Sequence, residues 1–346
     1  MSTSAPDIRV PLAARTGGRL ARAARSPLAR FVGRRLLMVV PVLWGVTFFT
    51  FLAMNVLPGT AAQSLLGANA TPEEVARFEA ELGLDKPFLE RYWDWFSGVV
   101  TGDLGTSLAS GRAVGEILLD ALPVTAELIL VAIVAALVLA IPLALVAARK
   151  PNGIVDRLGL FLSMVGLSIA NYVLALLLIY VFAVELRWLP AMGWVPPEQD
   201  LGENLRSLVL PATSIALPLL CFYTRLLRAD LLEQMQSEDY VVTARAKGAG
   251  PWRVLVRHAL RNSTFGLITI VALNLGTLLG GAVIVEQIFQ IPGMGRTLLS
   301  AIDNRDVPVV SGAVLVFAVV VVVANLIADV LYSVLDPRIR YGDASA

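Results

Sequence analysis

The sequence predicts an all-α membrane protein that crosses the bilayer six times. The chain has 346 residues, of which 57% are hydrophobic and 16% are charged, and its mean hydropathy is +0.73. A soluble domain carries about 25% charged residues, so the apolar surplus must face lipid. The apolar residues are also gathered into runs that are long enough to span a bilayer.

Six apolar runs give the predicted spans. The first would form a helix of roughly 33 Å, which is enough to cross the hydrocarbon core. Because the apolar region of a signal peptide is shorter, we expect this span to be retained. The predicted spans are residues 36–57, 122–148, 158–185, 207–225, 264–289 and 309–335.

The spans divide the chain into five regions. Before the first span lies a tail with eight arginines and a single acid, Asp7, which is typical of a basic tail that stays outside the folded part. The regions are the basic tail 1–35, the first span 36–57, an external segment 58–122, a core 123–335 that holds a polar loop at 229–263, and a short tail 336–346.

The external segment carries its own helix signals. Thr71 is a good N-cap before Pro72, and acidic residues follow in the first turn. Residues 87–96 form an aromatic amphipathic stretch that is expected at the membrane interface. Residues 98–115 are rich in glycine and are predicted to be irregular, as is the loop 186–206.

The distribution of basic residues predicts the orientation. Six spans put both termini on one side, together with the turn at 149–157 and the stretch 225–263. That side holds 20 of the 28 lysines and arginines. Because cytoplasmic loops are enriched in these residues, this side is predicted to be cytoplasmic.

The polar stretch 238–262 is predicted to form two short helices and a turn. Ser237 is a candidate N-cap, and Gly248 can end the first helix in a left-handed conformation. Pro251 suits the first turn of the second helix. That second helix has an apolar face that begins at Trp252, and a cationic stripe of Arg253, Arg257 and Arg261.

Several polar residues lie inside the predicted spans. Ionisable and polar groups at membrane depth are candidates for a transport path, although they also form hydrogen bonds between helices. Pro142, Pro211 and Pro218 are either hinges or static kinks. The candidate path residues are Asn171, Tyr172, Asn274, Glu286 and Asn325, with Glu286 expected near the external, hydrated end of its span.

The composition argues against chemistry performed by this chain. There is one cysteine, Cys221, and one histidine, His258, so neither a cysteine metal cluster nor a nucleophile–base pair is expected. No G-x-x-x-x-G-K-[ST] motif is present, so any ATP must be hydrolysed by another chain. A gradient-driven carrier remains an alternative, and such carriers often have inverted repeats.

Residues 238–262 contain the motifs T-A-R-A-K-G and then R-H-A-L-R-N. These motifs resemble the cytoplasmic loop of ABC-importer permeases of the dipeptide and oligopeptide branch. The general family pattern begins with an E-A-A triplet, which falls here on Val242, Thr243 and Ala244. Only Ala244, Gly248 and Leu260 match that general pattern. The stretches at 31–59, 82–108 and 280–312 are also similar to this branch.

The resemblance implies a permease subunit of an ATP-driven importer for di- and oligopeptides, with nickel, glutathione or another small solute as alternatives. It implies a bacterial inner-membrane protein that is not an enzyme and has both termini in the cytoplasm. The implied partners are a second homologous permease, two ATPase subunits that bind ATP and Mg²⁺, and an external substrate-binding protein, with no nucleic acid. The residues implied in coupling to the ATPase are Glu238, Asp239, Tyr240, Ala244, Arg245, Ala246, Lys247, Gly248 and Trp252.

Overall fold

The described part of the chain is helical throughout, apart from turns, loops and one isolated bridge between Thr106 and Ala113. The structure is a computed structural model and describes residues 27–57, 59, 61–67, 70–237 and 239–335. Most of the basic tail, Glu238 and the C-terminal tail therefore lie outside the described residues. The helices are α1 Pro27–Val56, α2 Ala61–Leu66, α3 Pro72–Glu81, α4 Phe88–Thr101, α5 Val114–Arg149, α6 Ile154–Ser168, α7 Asn171–Glu185, α8 Leu201–Ser237, α9 Asp239–Ala246, α10 Pro251–Phe289, α11 Met294–Asp303 and α12 Val307–Leu335.

Five of these helices, α1, α5, α8, α10 and α12, are long and apolar enough to cross a membrane. The predicted span 158–185 is not one straight helix, because α6 and α7 meet at an angle of 99°. Ile169 and Ala170 have extended backbones at the junction, which interrupts the helical hydrogen bonds. The described residues thus hold five candidate spans, or six if the bent pair is one span.

Two helices begin earlier in the chain than the spans predicted for them. α5 begins at Val114 rather than at 122, so it takes in the end of the external segment. α8 begins at Leu201, inside the predicted loop 186–206. The signal for that start is Asp200, whose carboxylate accepts hydrogen bonds from the backbone N–H groups of Gly202 (2.8 Å) and Glu203 (3.1 Å).

The main core lies where α5 packs against α8 and α10. Small side chains line the buried face of α5 at four-residue spacing, and this lets neighbouring backbones approach closely. Pro142 of α5, and Pro211 and Pro218 of α8, lie inside continuous helices. The fully buried positions of the α5 face are Leu128, Ala132, Ala136, Ala140 and Ala144.

The external segment is anchored on α1 by aromatic rings. α4 begins at Phe88, inside the predicted aromatic stretch, and continues to Thr101 before Gly102 ends it in a left-handed conformation (φ 89°). Tyr92 is 1% exposed, its ring centroid lies 5.6 Å from that of Phe51, and its hydroxyl is 3.2 Å from that of Thr47. The helix therefore packs along the first span.

The predicted N-cap at Thr71 is confirmed. The Thr71 hydroxyl accepts a hydrogen bond from the backbone N–H of Glu74, and the Thr71 N–H donates to the Glu74 carboxylate at 2.8 Å. This second bond lowers the pKa of the Glu74 carboxyl, because it favours the charged form.

Contacts between loops and helix ends gather the ends of the long helices into two groups. At one end, Arg149 lies over the ring of Trp252, and Arg35 of α1 forms an ion pair of 2.6 Å with Asp329 of α12. At the other end, the Gly193 N–H donates to the carbonyl of Phe289 at 2.8 Å.

A buried carboxylate fixes the short helix α11 between α10 and α12. Glu286 is fully buried and accepts hydrogen bonds from the Thr125 hydroxyl (2.5 Å) and from the backbone N–H groups of Gly295 (2.7 Å) and Arg296 (3.2 Å). Gly293 leaves room for this carboxylate, which a side chain there would strike. The expectation that Glu286 is hydrated was therefore wrong.

A second buried carboxylate lies just beyond α11. Asp306 is 2% exposed and accepts hydrogen bonds from the Ser107 hydroxyl (2.6 Å) and from the N–H groups of Leu108 (3.2 Å) and Ala109 (3.3 Å). α11 is thus held at one end through α5 and at the other through the external segment.

Replacing Glu286 with alanine should destabilise the protein by about 3 kcal/mol, because two buried N–H groups and the Thr125 hydroxyl lose their acceptor. The measurement is equilibrium unfolding of the purified protein in mixed detergent micelles. Glu116→Ala is the control, since Glu116 is an exposed acid on α5. Equal stability of the two variants would show that Glu286 does not hold α11.

Candidate functional site

The candidate site is the segment that joins the two long helices α8 and α10, here called the connecting element (residues 239–258). It consists of the short helix α9, a turn, and the start of α10. Gly248 has φ +81°, and the N–H groups of Gly248 (2.9 Å) and Ala249 (3.1 Å) donate to carbonyls of the last turn of α9. The prediction of a left-handed Gly248 is confirmed, and so is Pro251 in the first turn of the next helix.

The prediction of two short helices was wrong in its second half. α10 begins at Pro251 and continues as one helix to Phe289, with a π-helical stretch at Leu255–Ala259. Neither glycine nor proline lies between this π-helical stretch and the apolar run that starts at residue 264. The Thr264 hydroxyl donates a hydrogen bond to the carbonyl of Leu260 (2.7 Å), so it does not disturb the helix. Ser237 belongs to α8 rather than standing free before α9. The element therefore links two membrane helices directly.

α9 packs on the end of α8 through a small apolar cluster. Val241 and Val254 are fully buried, and Ala244 is 9% exposed beside them. The Tyr240 hydroxyl lies 2.6 Å from the Gln234 amide oxygen, and Arg245 donates to the carbonyl of Met235 at 3.4 Å. Ala244 thus packs against its own chain, and its contact with a partner stays a prediction.

The opposite face of α9 is exposed. Asp239, Val242, Ala246, Lys247 and Gly248 all lie on the surface, and Val242 is 63% exposed.

A groove runs between α9 and the first turns of α10. It has a volume of about 590 Å³ and is open to solvent. Three cationic side chains line it and, among the described residues, no acidic one does, so this lining favours an acidic surface. The lining residues are Tyr240, Thr243, Ala244, Lys247, Gly248, Ala249, Arg253, Arg257 and His258. The sequence placed Arg253 and Arg257 in a cationic stripe, and in the structure both side chains line this groove.

Trp252 lies outside this groove. Its side chain is 46% exposed, and the Arg149 guanidinium lies 5.9 Å from its ring centroid. A cation over an indole face is an attractive contact, which here joins the start of α10 to the end of α5. The predicted aromatic anchor is therefore engaged with its own chain on one face.

The five candidate path residues do not converge on one site. Asn274 donates toward the Tyr223 hydroxyl at 3.4 Å, which joins α10 to α8. Asn171 lies beside Gly281 of α10, and Tyr172 is 49% exposed. Asn325 lines a cavity beside Arg35 and Asp329, and Glu286 is buried. Interhelical hydrogen bonding is the role that the geometry supports for Asn274, and the path role of all five stays a prediction.

The described residues contain no group of three or more His, Cys, Asp or Glu side chains placed to hold a metal ion. What the connecting element offers is a cationic groove and an exposed helix face at the ends of two membrane helices.

Two family models match the chain. Residues 140–341 match the binding-protein-dependent transport system inner membrane component, and residues 28–129 match the N-terminal region of such membrane components. The connecting element lies within the first match.

Curated relatives extend over nearly the whole chain. The dipeptide transport system permease protein DppB of Alkalihalophilus pseudofirmus is 37% identical over 328 residues, covering 89% of this chain and 98% of the relative. The oligopeptide transport system permease protein AppB of Bacillus subtilis is 37% identical, with 91% and 100% covered. The glutathione transport system permease protein GsiC of Escherichia coli is 34% identical, with 91% and 100% covered.

These matches and the long apolar helices identify an integral inner-membrane protein of an ABC import system, whose ATPase is a separate subunit. The chain belongs to the family of binding-protein-dependent transport system inner membrane components, as a permease subunit and not as an enzyme.

Proposed function

We propose that this permease moves di- and oligopeptides across the inner membrane by alternating access, and that the connecting element is its docking site for an ATPase subunit. The observation that carries the proposal is the cationic groove beside α9, which sits at the ends of two continuous membrane helices. The names of the dipeptide and oligopeptide relatives support the substrate class.

The lengths of the flanking helices support a mechanical role. α8 and α10 have 37 and 39 residues. At the α-helical rise each is about 55 Å or more, whereas the hydrocarbon core is about 30 Å thick. Each helix therefore extends beyond the membrane. Because α9 lies between them in the chain and only the turn at residues 247–250 separates it from α10, a displacement of α9 would act on both helices.

In this proposal the six spans, with α6 and α7 as one bent span, place both termini and the connecting element in the cytoplasm. The bias of lysine and arginine supports that side. The contact between Arg149 and Trp252 also supports it, because the charge pattern assigns both loops to the same side. The external segment and α11 then face the substrate-binding protein.

The complete importer would contain a second homologous permease and two ATPase subunits that hold ATP and Mg²⁺. ATP binding would draw the ATPase subunits together, shift the connecting elements and open the path outward, and hydrolysis would reset it. Substrate and nucleotide binding are then reciprocally coupled, as required of any two linked sites. No covalent step is performed by the permease.

The substrate class is tested by uptake in a strain that lacks this permease gene, with and without the restored gene. We expect restored uptake of labelled di- to pentapeptides, because the relatives named for peptides cover 89% and 91% of the chain. Glutathione and Ni²⁺ are the comparison substrates, since one relative is named for glutathione. Preferential uptake of either comparison substrate would replace the peptide assignment.

Gly248→Val should abolish uptake while the protein still inserts in the membrane. A β-branched residue strongly disfavours φ +81°, although no atom lies within 4 Å of the added Cβ. Gly248→Asn should keep most uptake, because asparagine tolerates the left-handed region. Uptake of labelled peptide and the amount of permease in the membrane are measured together.

Gly250→Val is the matched control for this series. Gly250 lies two residues further on, has φ −67° and ψ 154°, and also has open space around its Cβ position. Valine adopts that extended backbone readily, so uptake should persist. If the variants at 248 and 250 behaved alike, the turn conformation would not matter for coupling.

The paired charge reversals Arg253→Glu and Arg257→Glu should reduce co-purification of the ATPase at least about tenfold, because reversing close charges at an interface costs several kcal/mol. Uptake should fall in parallel. Lys150→Glu is the control, since Lys150 is exposed on the turn after α5 and does not line the groove. Unchanged ATPase binding by the double variant would show that the groove is not the docking site.

A further inference from the structure

A second cavity lies between α6 and α8, with part of α5 as its floor, and is here called the α6–α8 groove. Its volume is about 350 Å³ and its walls are largely apolar. The apolar wall is formed by Leu143 and Ala147 of α5, by Val155, Leu160, Leu162 and Val165 of α6, and by Leu217 and Leu220 of α8. None of these residues belongs to the connecting element.

The groove is long enough for an acyl chain. Along α6 its lining runs from Asp156 to Ile169, which is about 20 Å of helix at the α-helical rise. One leaflet of the bilayer has about 15 Å of hydrocarbon. Gly159 and Gly166 contribute no side chains to the wall, and a Cβ added at Gly159 would meet no atom within 4 Å.

One end of the groove is cationic. Arg225 and Arg228 both line it there, and Arg228 forms a bidentate ion pair with Asp156, in which the Arg228 Nη2 to Asp156 Oδ2 distance is 2.6 Å. Asp156 is 1% exposed and neutralises Arg228, while Arg225 is exposed and Arg157 is exposed beside the pair. The rim therefore keeps an excess of positive charge.

A buried hydroxyl lies next to this rim. Thr224 is 8% exposed and lines the groove, and its Oγ1 has no hydrogen-bond partner among the described residues. An unpaired buried hydroxyl is costly, and an oxygen-rich ligand would supply the missing partner. Thr224 is four residues before Arg228 on α8, so it lies one helical turn deeper in the groove.

We propose that the α6–α8 groove binds an anionic phospholipid, with one acyl chain along α6, the glycerol ester region at Thr224 and the headgroup phosphate at Arg225. The apolar walls, the unpaired hydroxyl and the cationic rim follow one another in the order of the parts of a lipid. The basic end of the groove lies at the 149–157 turn, which the orientation proposed above places in the cytoplasm. The ligand is then a lipid of the cytoplasmic leaflet, which is rich in negative charge.

A helix of the second permease is the competing occupant. Such a helix would cover the apolar wall of the groove. An apolar helix would, however, offer no hydrogen-bond partner to the Thr224 hydroxyl and no negative charge to Arg225. A lipid in this position would brace α6 against α8 near the end that carries α9.

The test is native mass spectrometry of the purified importer complex after delipidation, with dioleoyl phosphatidylglycerol or dioleoyl phosphatidylcholine added back. The acyl chains are the same, so only the headgroup charge differs. We expect one retained phosphatidylglycerol with about fivefold preference over phosphatidylcholine, and Arg225→Gln should remove that preference. Lys150→Gln, an exposed cation outside the groove, should leave it unchanged.

Gly159→Leu should abolish retention of both lipids, because its side chain enters the groove. Gly266→Leu is the matched control, since Gly266 is an exposed helical glycine with no atom near its Cβ position. Equal retention of the two lipids, or retention unaffected by Gly159→Leu, would overturn the proposal. Loss of the second permease from the Gly159→Leu complex would assign the groove to that subunit instead. Both readouts are independent of substrate uptake, so they stand apart from the test of peptide transport.

Discussion

The helical continuity of α8 and α10 is the constraint on which the rest of the structure depends. Hydrocarbon offers no partner to a free N–H or C=O group, so a membrane segment must satisfy them internally. α8 stays helical through Pro211 and Pro218, and both helices continue past the length that the membrane requires. α9 has eight residues and little core of its own, so its position is set by these two helices.

Much of the fold could be predicted because apolar runs report directly on membrane burial. The positions of the helix ends were harder to predict, because they depend on single side chains such as Asp200. Its capping role becomes clear only when the structure places its carboxylate beside the N–H groups that follow. The bend between α6 and α7 was not predicted at all. The two residues at the bend are Ile169 and Ala170, so neither a glycine nor a proline marked the break in the sequence.

The candidate site divides in the same way. Gly248 and Pro251 were predictable because a left-handed turn and a helix start each demand a particular backbone. The direction in which Ala244 faces could not be predicted, because a small residue suits contact with its own chain as well as with a partner. Glu286 was misjudged for a similar reason. Its burial depends on Gly293 and on N–H groups that the sequence shows only as a turn motif.

The packing of α1 has a consequence for the order of assembly. α1 is made first, yet it pairs with α12, which is made last, and Arg35 meets Asp329 across that gap. At 5 to 20 residues per second, α1 spends roughly 15 to 60 s in the bilayer before its partner exists. The aromatic cluster of α4 is available much sooner, since it follows α1 by about 30 residues. Tyr92 and its aromatic neighbours can therefore cover one face of α1 while the remaining spans are still being synthesised.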